Sequence, residues 1–279
     1  MEPLTKQLPK NILTALTSDY CTKHKNAYGE EIKVQMMDMS KYGMGVICPQ
    51  CELDKENAKV VKGITDEAIE RERNKRKNTL YYRSLFRDKT IKDAGFRNYE
   101  AKTDEEYRNL HLAKQAVAHY KAEKIFTTLF QGKTGAGKSH LAMAILRNLN
   151  ETLQDVECAF INVRSMIMEI KDTWHNEDNP HTALYFVDLL SRVDFLVLDD
   201  LGNESADDKA NKTVLEVLTE VLESRQDKAT IITTNCTREQ LEKIYTKALI
   251  SRTLKNTAVI KFEHTDDKRI KQYDLDSPI

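Results

Sequence analysis

The stretch that most constrains the fold lies between residues 125 and 149. An apolar run, IFTTLF (125–130), passes directly into QGKTGAGKSH (131–140), and that into the helix-like pattern SHLAMAILRNL (139–149). Three of the chain's nine glycines and two lysines fall in this loop. Gly132, Gly137, Lys138 and Ser139 match the G-x-x-x-x-G-K-[ST] pattern of a phosphate-binding loop, in the strand–loop–helix setting that such a loop requires. Bare α-carbons let successive backbone N–H groups curl around an anion, and the helix N-terminus adds partial positive charge. The expected ligand is a nucleoside triphosphate with Mg²⁺, cradled by Gly132, Lys133, Thr134, Gly135, Ala136, Gly137, Lys138, Ser139 and His140. Lys138 is expected to reach the β and γ phosphates and Ser139 to ligate Mg²⁺.

The downstream pattern fits a parallel sheet built around that loop. Apolar strands are expected at Ile125–Phe130, Cys158–Val163, Phe195–Leu198, Thr230–Thr234 and Ala258–Phe262, with helix-like segments between them. Upstream, TDEEYRNLHLAKQAVAHY opens on a Thr103…Glu106 capping box and places Leu110, Ala113, Val117 and Tyr120 on one stripe. Strands that are apolar throughout and alternate with helices imply an α/β fold with both sheet faces covered. In DFLVLDDLG (194–202), Asp199 is placed to hold Mg²⁺ through water and Asp200 to orient the attacking water. Asn235, at the tip of TIITTNC (230–236) and placed after the paired-acid strand, is expected to hydrogen-bond the γ-phosphate or the attacking water, the alternative being an Asn chosen for its turn preference at a strand end.

The front of the chain has a different character. YCTKH supplies Cys21 and His24, CPQC supplies Cys48 and Cys51, and 23 residues separate the two pairs. Four such ligands in two knuckles suit a closed, structural, tetrahedral Zn²⁺ site, the alternative being unrelated cysteines at a chance spacing. A segment this small has little core of its own, so metal binding would supply much of its folding energy. Cys158 and Cys236 read as small buried hydrophobes. No apolar run is long enough to span a bilayer, and MEPLTKQLPKNILTALT lacks a signal-peptide core, so a cytoplasmic location with reduced thiols is expected. The organisation expected is a zinc-binding domain over 1–63, a charged helical linker over 64–94 and an ATPase domain over 95–279. With a formal net charge of −1, any contact with nucleic acid must come from local patches. RERNKRKNTLYYRSLFR (71–87) interleaves basic and aromatic residues. It reads first as a solvated helix and second as a surface for phosphates and bases.

In their order and spacing, GKTGAGKS, FLVLDDLG, IITTN and ALISRTLK resemble the AAA+ ATPase core over about residues 95–270. More narrowly they resemble the bacterial and phage replicative-helicase loaders of the DnaC/DnaI type, with the transposition helper ATPase IstB as a cousin. The resemblance implies an AAA+ P-loop three-layer sandwich with Asn235 as sensor 1. It implies that Arg252 is an arginine finger offered to a neighbouring subunit, hence self-association through the ATPase domain. Arg269 in FEHTDDKRI would be sensor 2, with Lys268 as the alternative, although the small residues that usually precede this arginine are missing here. The neighbourhood of Arg164, Lys171 and Trp174 would line a single-stranded DNA path, and the zinc domain would dock on a DnaB-type helicase. The function implied is ATP-dependent loading of a hexameric replicative helicase onto single-stranded DNA. Hydrolysis is expected to be slow, because Asp200 stands where many AAA+ proteins have Glu. A transposition helper ATPase and a zinc-dependent DNA-binding adaptor with a nucleotide switch are the alternatives.

Overall fold

The computed structural model of the protein describes residues 16–202 and 209–269. The stretch read for a signal peptide therefore lies almost wholly outside the described residues. The chain divides into two compact units, Met1–Arg71 and Glu72–Ile279.

In the first unit, β1 (Leu16–Lys25), β2 (Glu31–Asp38) and β3 (Val46–Ile47) form an antiparallel sheet in that order. The β1–β2 turn is closed by Asn26, whose Oδ1 accepts from the backbone N–H groups of Tyr28 and Glu30 at 3.0 Å each. β3 leads into α1 (Pro49–Tyr82), a continuous helix of 34 residues. Pro49 occupies its first turn, where a missing N–H costs nothing. The helix passes through Gly63, where the expected zinc-domain boundary fell. A glycine costs a helix interior about 1 kcal/mol relative to alanine, too little to break one held at both ends.

The compact units also divide the chain elsewhere than the expected 63/64 and 94/95 boundaries. Leu80 and Ala94 are buried in the core of the second unit, with Phe86 and Ile91 packed against it. Leu85 bridges Ile161 in parallel register at the sheet edge. The charge density of 65–89 concealed these few apolar anchors.

The second unit contains α2 (Asp104–Lys121), β4 (Thr127–Gly132), α3 (Lys138–Thr152), β5 (Cys158–Asn162), α4 (Val163–Asp172), α5 (Ala183–Arg192) and β6 (Phe195–Asp199). These are followed by α6 (Lys209–Ser224), β7 (Ala229–Thr234), α7 (Arg238–Ile244), α8 (Lys247–Thr253) and β8 (Thr257–Phe262). The five strands β4–β8 form a parallel sheet in the order β5-β6-β7-β4-β8. Side chains alternate across it. Leu196, Leu198 and Ile232 join the layer of α4, α5 and α6, while Val197, Phe130 and Ile231 join that of α2 and α3. This is the α/β three-layer sandwich. Buried Arg225 ties the lower strand ends together, donating to the carbonyls of Leu190, Val193, Asp194 and Ala229 and to Thr230 Oγ1. Burial lowers its pKa to about 10. Among the described residues, no helix is long and apolar enough to cross a membrane.

Candidate functional site

The carboxyl ends of β4, β6 and β7 open onto one cleft of about 740 Å³, which is where a parallel sheet with its crossover order accommodates ligands. Thr134, Gly135 and Gly137 of the loop line it. Gly137 is the N-cap of α3 at φ 94°, with no side-chain cap, so the first N–H groups of the helix remain available to an anion. A Cβ at Gly137 would stand 3.0 Å from the Tyr99 ring, and the left-handed backbone disfavours one there in any case. Lys138 is buried. Its ammonium donates to the carbonyls of Gly132 (2.9 Å) and Lys133 (2.7 Å) and to Asn235 Oδ1 (2.7 Å). Burial lowers its pKa, opposed by the charges of Asp200 and Asp199.

Asp199 ends β6, also buried. Its carboxylate accepts from Thr233 Oγ1 at 2.8 Å and from Asn162 Nδ2 at 3.0 Å. Burial and the neighbouring Asp200 push its pKa up, while hydrogen bonds from Ser139, Asn162 and Thr233 oppose them. Asp200 follows in a left-handed conformation, φ 60°. Its N–H donates to Thr233 Oγ1 at 2.9 Å, and its Oδ2 lies 3.5 Å from Asn162 Nδ2. A non-glycine residue at positive φ is uncommon and tolerated best by Asp and Asn. The short side chain that departs from the commoner Glu therefore also suits this backbone.

Asn235 joins the tip of β7 to the loop, its Nδ2 donating to Thr134 Oγ1 at 3.1 Å. The structure thus brings Lys138, Ser139, Asp199, Asp200 and Asn235 to one cleft. Arg269 lines the same cleft. Lys268 does too, but its ammonium pairs with Glu106 at 3.0 Å, donates to the Glu100 carbonyl and lies 4.1 Å above the Tyr99 ring. Of the two, Arg269 has no such tether among the described residues. Arg252 stands outside the cleft on α8, its side chain 58% exposed and 3.3 Å from Glu223 Oε1.

Sequence reasoning missed several members of the site. Asn162 pairs in register with Asp199 across β5 and β6 and holds both acids. It was visible only as a polar residue ending an apolar strand. Thr233, one of several threonines in β7, carries no local signal of its role. The upper wall, from Phe86 to Ile91 and from Asn98 to Glu100, comes from segments with no nucleotide motif. There Tyr99 is buried with its hydroxyl unpartnered. Burial and the charges of Glu106 and Glu105 raise its pKa. His140 bonds the Gly95 carbonyl at 2.9 Å and meets Tyr99 edge-on; burial lowers its pKa. The cleft's size, its uncapped helix end and the paired acids fit a Mg²⁺–nucleotide.

In the first unit, Cys21 and His24 come from β1, Cys48 from the residue between β3 and α1, and Cys51 from the first turn of α1. Their ligand atoms all lie within 4.8 Å of one another. Cys21 Sγ and Cys51 Sγ are 3.8 Å apart, and His24 Nε2 is 3.2 Å from Cys48 Sγ and 3.3 Å from Cys51 Sγ. A tetrahedron with Zn–S bonds of about 2.3 Å has edges of about 3.8 Å, so the spacing fits zinc. Asp54 Oδ2 stands 3.4 Å from His24 Nδ1, where an outer carboxylate would fix the ring with Nε2 turned inward.

Residues 53–273 match the family described as IstB-like ATP binding protein. The replicative helicase loader DnaC of Escherichia coli (strain K12) is 28% identical over 160 residues, 57% of this chain and 62% of that protein. The chain thus spans about three fifths of that relative's length. The crystal structure of the DnaC helicase loader superposes with a TM-score of 0.52 at 24% identity, covering 62% of this chain and 99% of that one. The crystal structure of DnaI gives 0.52 at 23% identity, covering 64% and 95%. At these identities the structural likeness is one of fold.

Proposed function

This chain belongs to the IstB-like ATP-binding protein family, and from that premise we propose that it loads a hexameric replicative DNA helicase onto single-stranded DNA in an ATP-dependent step. The observation that carries the reading is the convergence of Lys138, Ser139, Asp199, Asp200 and Asn235 on one cleft. Similarity to a replicative helicase loader points to a helicase as the partner.

On this reading the cleft residues divide the work. The loop N–H groups and Lys138 bind the phosphates, and Ser139 and Asp199 hold Mg²⁺, which supplies positive charge against the phosphate oxygens. Asp200 orients the attacking water, and Asn162 keeps the two carboxylates apart in fixed positions. Asn235 passes occupancy of the γ-phosphate position to Lys138 and Thr134. Arg252, exposed on α8, completes a neighbour's site, so the active form is an oligomer. Arg269 takes the sensor 2 position. Cys21, His24, Cys48 and Cys51 hold a structural Zn²⁺ in a docking domain within the first unit, and the ATPase domain lies in the second. Hydrolysis is slow, the nucleotide acting as a switch in a cytoplasmic protein.

The test is native mass spectrometry of the full chain with its host's replicative helicase, with ATP, Mg²⁺ and zinc present. A discrete complex is expected, together with helicase transfer to single-stranded circles that Lys138→Ala abolishes. If no complex forms while nucleotide and zinc are bound, the loader reading fails; capture of a transposase instead would establish the transposition-helper alternative.

A further inference from the structure

The second unit carries another concave surface outside the nucleotide cleft. Where α1 ends, a cleft of about 260 Å³ is lined by Lys75, Asn78, Thr79, Tyr82 and Arg83. The spacing of Lys75, Asn78, Thr79 and Tyr82 along α1 keeps them on one side of the helix, and Arg83 follows directly. Tyr82 is 82% exposed, a large ring left in water on an ordered helix end. Thr79 is buried beneath and donates to Glu157 Oε1 at 2.8 Å. Arg83 reaches across to the hydroxyl of Tyr185 on α5.

Charge on this segment is strongly one-sided. Residues 71–89 carry eight Lys or Arg against two Asp or Glu, in a chain whose net charge is −1. Two of the eight serve the fold: Arg73 pairs with Asp155 and Arg76 with Asp194, each at 2.9 Å. Lys75 meets only Glu72 among the described residues, at 3.7 Å across two solvent-exposed side chains, a contact of little strength. Lys75, and Arg83 with a neutral hydroxyl as its partner, therefore present charge that no close acid neutralises among the described residues.

The surface is also firmly placed. Directly after Arg83, the chain pairs with the sheet edge. Phe160 N donates to Ser84 Oγ, Leu85 N to the Phe160 carbonyl and Asn162 N to the Leu85 carbonyl, each at 2.9 Å. Phe86 to Ile91 then line the nucleotide cleft.

We propose that this surface binds single-stranded DNA, Lys75 and Arg83 taking backbone phosphates and Tyr82 stacking on a base. Cations flanking an exposed ring match a strand that alternates charge with accessible π faces; in a duplex those faces are covered. Asn78 adds an amide to the same groove. The choice of DNA rests on the loader reading, which this site deepens by naming where the strand is held.

The test is fluorescence anisotropy of labelled oligo-dT with the full chain, in ATP, Mg²⁺ and zinc, beside the helicase-complex measurement. Tyr82→Ala is expected to weaken binding about tenfold and Tyr82→Phe to restore it. The double variant Lys75→Ala, Arg83→Ala is expected to reduce the slope of log K against log salt by about 1.4. Nucleotide affinity stays at the wild-type value in all three, which shows them folded. Wild-type oligo-dT binding by the alanine variants overturns the site and leaves the loader reading standing. A helicase complex without oligo-dT binding does the same, and loss of both overturns both. Variants that lose the helicase but keep the DNA assign the surface to a protein partner and overturn the proposal.

Discussion

The ammonium of Lys138 donates a 2.7 Å hydrogen bond to Oδ1 of Asn235, joining two residues 97 positions apart. The other amide atom of Asn235 donates to Thr134 Oγ1, so one side chain at the tip of β7 holds both the middle and the end of the loop. Asn235→Ala leaves Lys138 with two backbone carbonyls. ATP hydrolysis is expected to fall roughly 10–100-fold, with ATP affinity within about threefold of wild type, since the loop's own N–H groups remain. Steady-state hydrolysis beside equilibrium nucleotide titration checks this; an equal loss in both would make Asn235 a simple binding residue.

Asp200 sits at φ 60° with its carboxylate beside Asn162. If its short reach limits the rate, Asp200→Glu should hydrolyse faster in a single turnover. The longer side chain suits the left-handed backbone less well, so a small loss of thermal stability should accompany the gain. A single-turnover rate no higher than wild type would sink the idea that the missing methylene slows hydrolysis.

Arg252 lies outside its own chain's cleft, paired with Glu223. Lys138→Ala and Arg252→Ala should each be inactive alone. Mixed in equal amounts, they should recover activity at about a quarter of interfaces, where an intact cleft meets an intact finger in head-to-tail contact. Complete inactivity of the mixture would remove Arg252 from the site.

The Cys and His cluster links β1, the residue following β3 and the first turn of α1 through four side chains. Cys48→Ser should abolish bound zinc by elemental analysis and cost residues 16–48 their hydrogen-exchange protection, because a small sheet with few buried apolar residues depends on the metal. Protection of β4 should persist. Retained protection in 16–48 without zinc would show that the sheet folds on its own core.

Glu105 gathers the backbone N–H groups of Glu263, His264 and Thr265 and the Thr265 hydroxyl. Burial pushes its pKa up, but these hydrogen bonds outweigh burial and hold it below the ordinary 4.5. A depressed carboxylate contributes stability that is present above its unfolded value and lost as pH falls through the folded one. The melting-temperature gap between wild type and Glu105→Gln should therefore be full near neutrality and close as pH drops below 4.5. A gap independent of pH would mean that the contact is steric.

The phosphate loop was legible because its chemistry is local. Glycines at fixed offsets, a lysine and a serine act through backbone that they themselves shape, and the flanking strand and helix announce themselves by periodicity. The strand cores followed from the same logic, Phe195–Leu198 differing from β6 by one residue. The Cys and His pairs were legible because two short knuckles encode half a tetrahedron each.

The local devices are therefore written in the chain itself: the loop, the paired acids, the knuckles and the alternation that makes a parallel sheet. Tertiary structure alone decided which side chains meet. Asn162 reaches Asp199 because β5 lies beside β6, and Asn235 reaches Lys138 because β7 lies beside β4. Tyr99 stands over Gly137, and Lys268 is drawn to Glu106, because distant segments pack together. The 34-residue reach of α1 belongs to the same class. Gly63 weakens it locally, while Leu80 and the Ser84–Leu85 pairing fix its far end. Strand order and long-range burial are set by the free energy of the whole packed domain, and no local spacing encodes them.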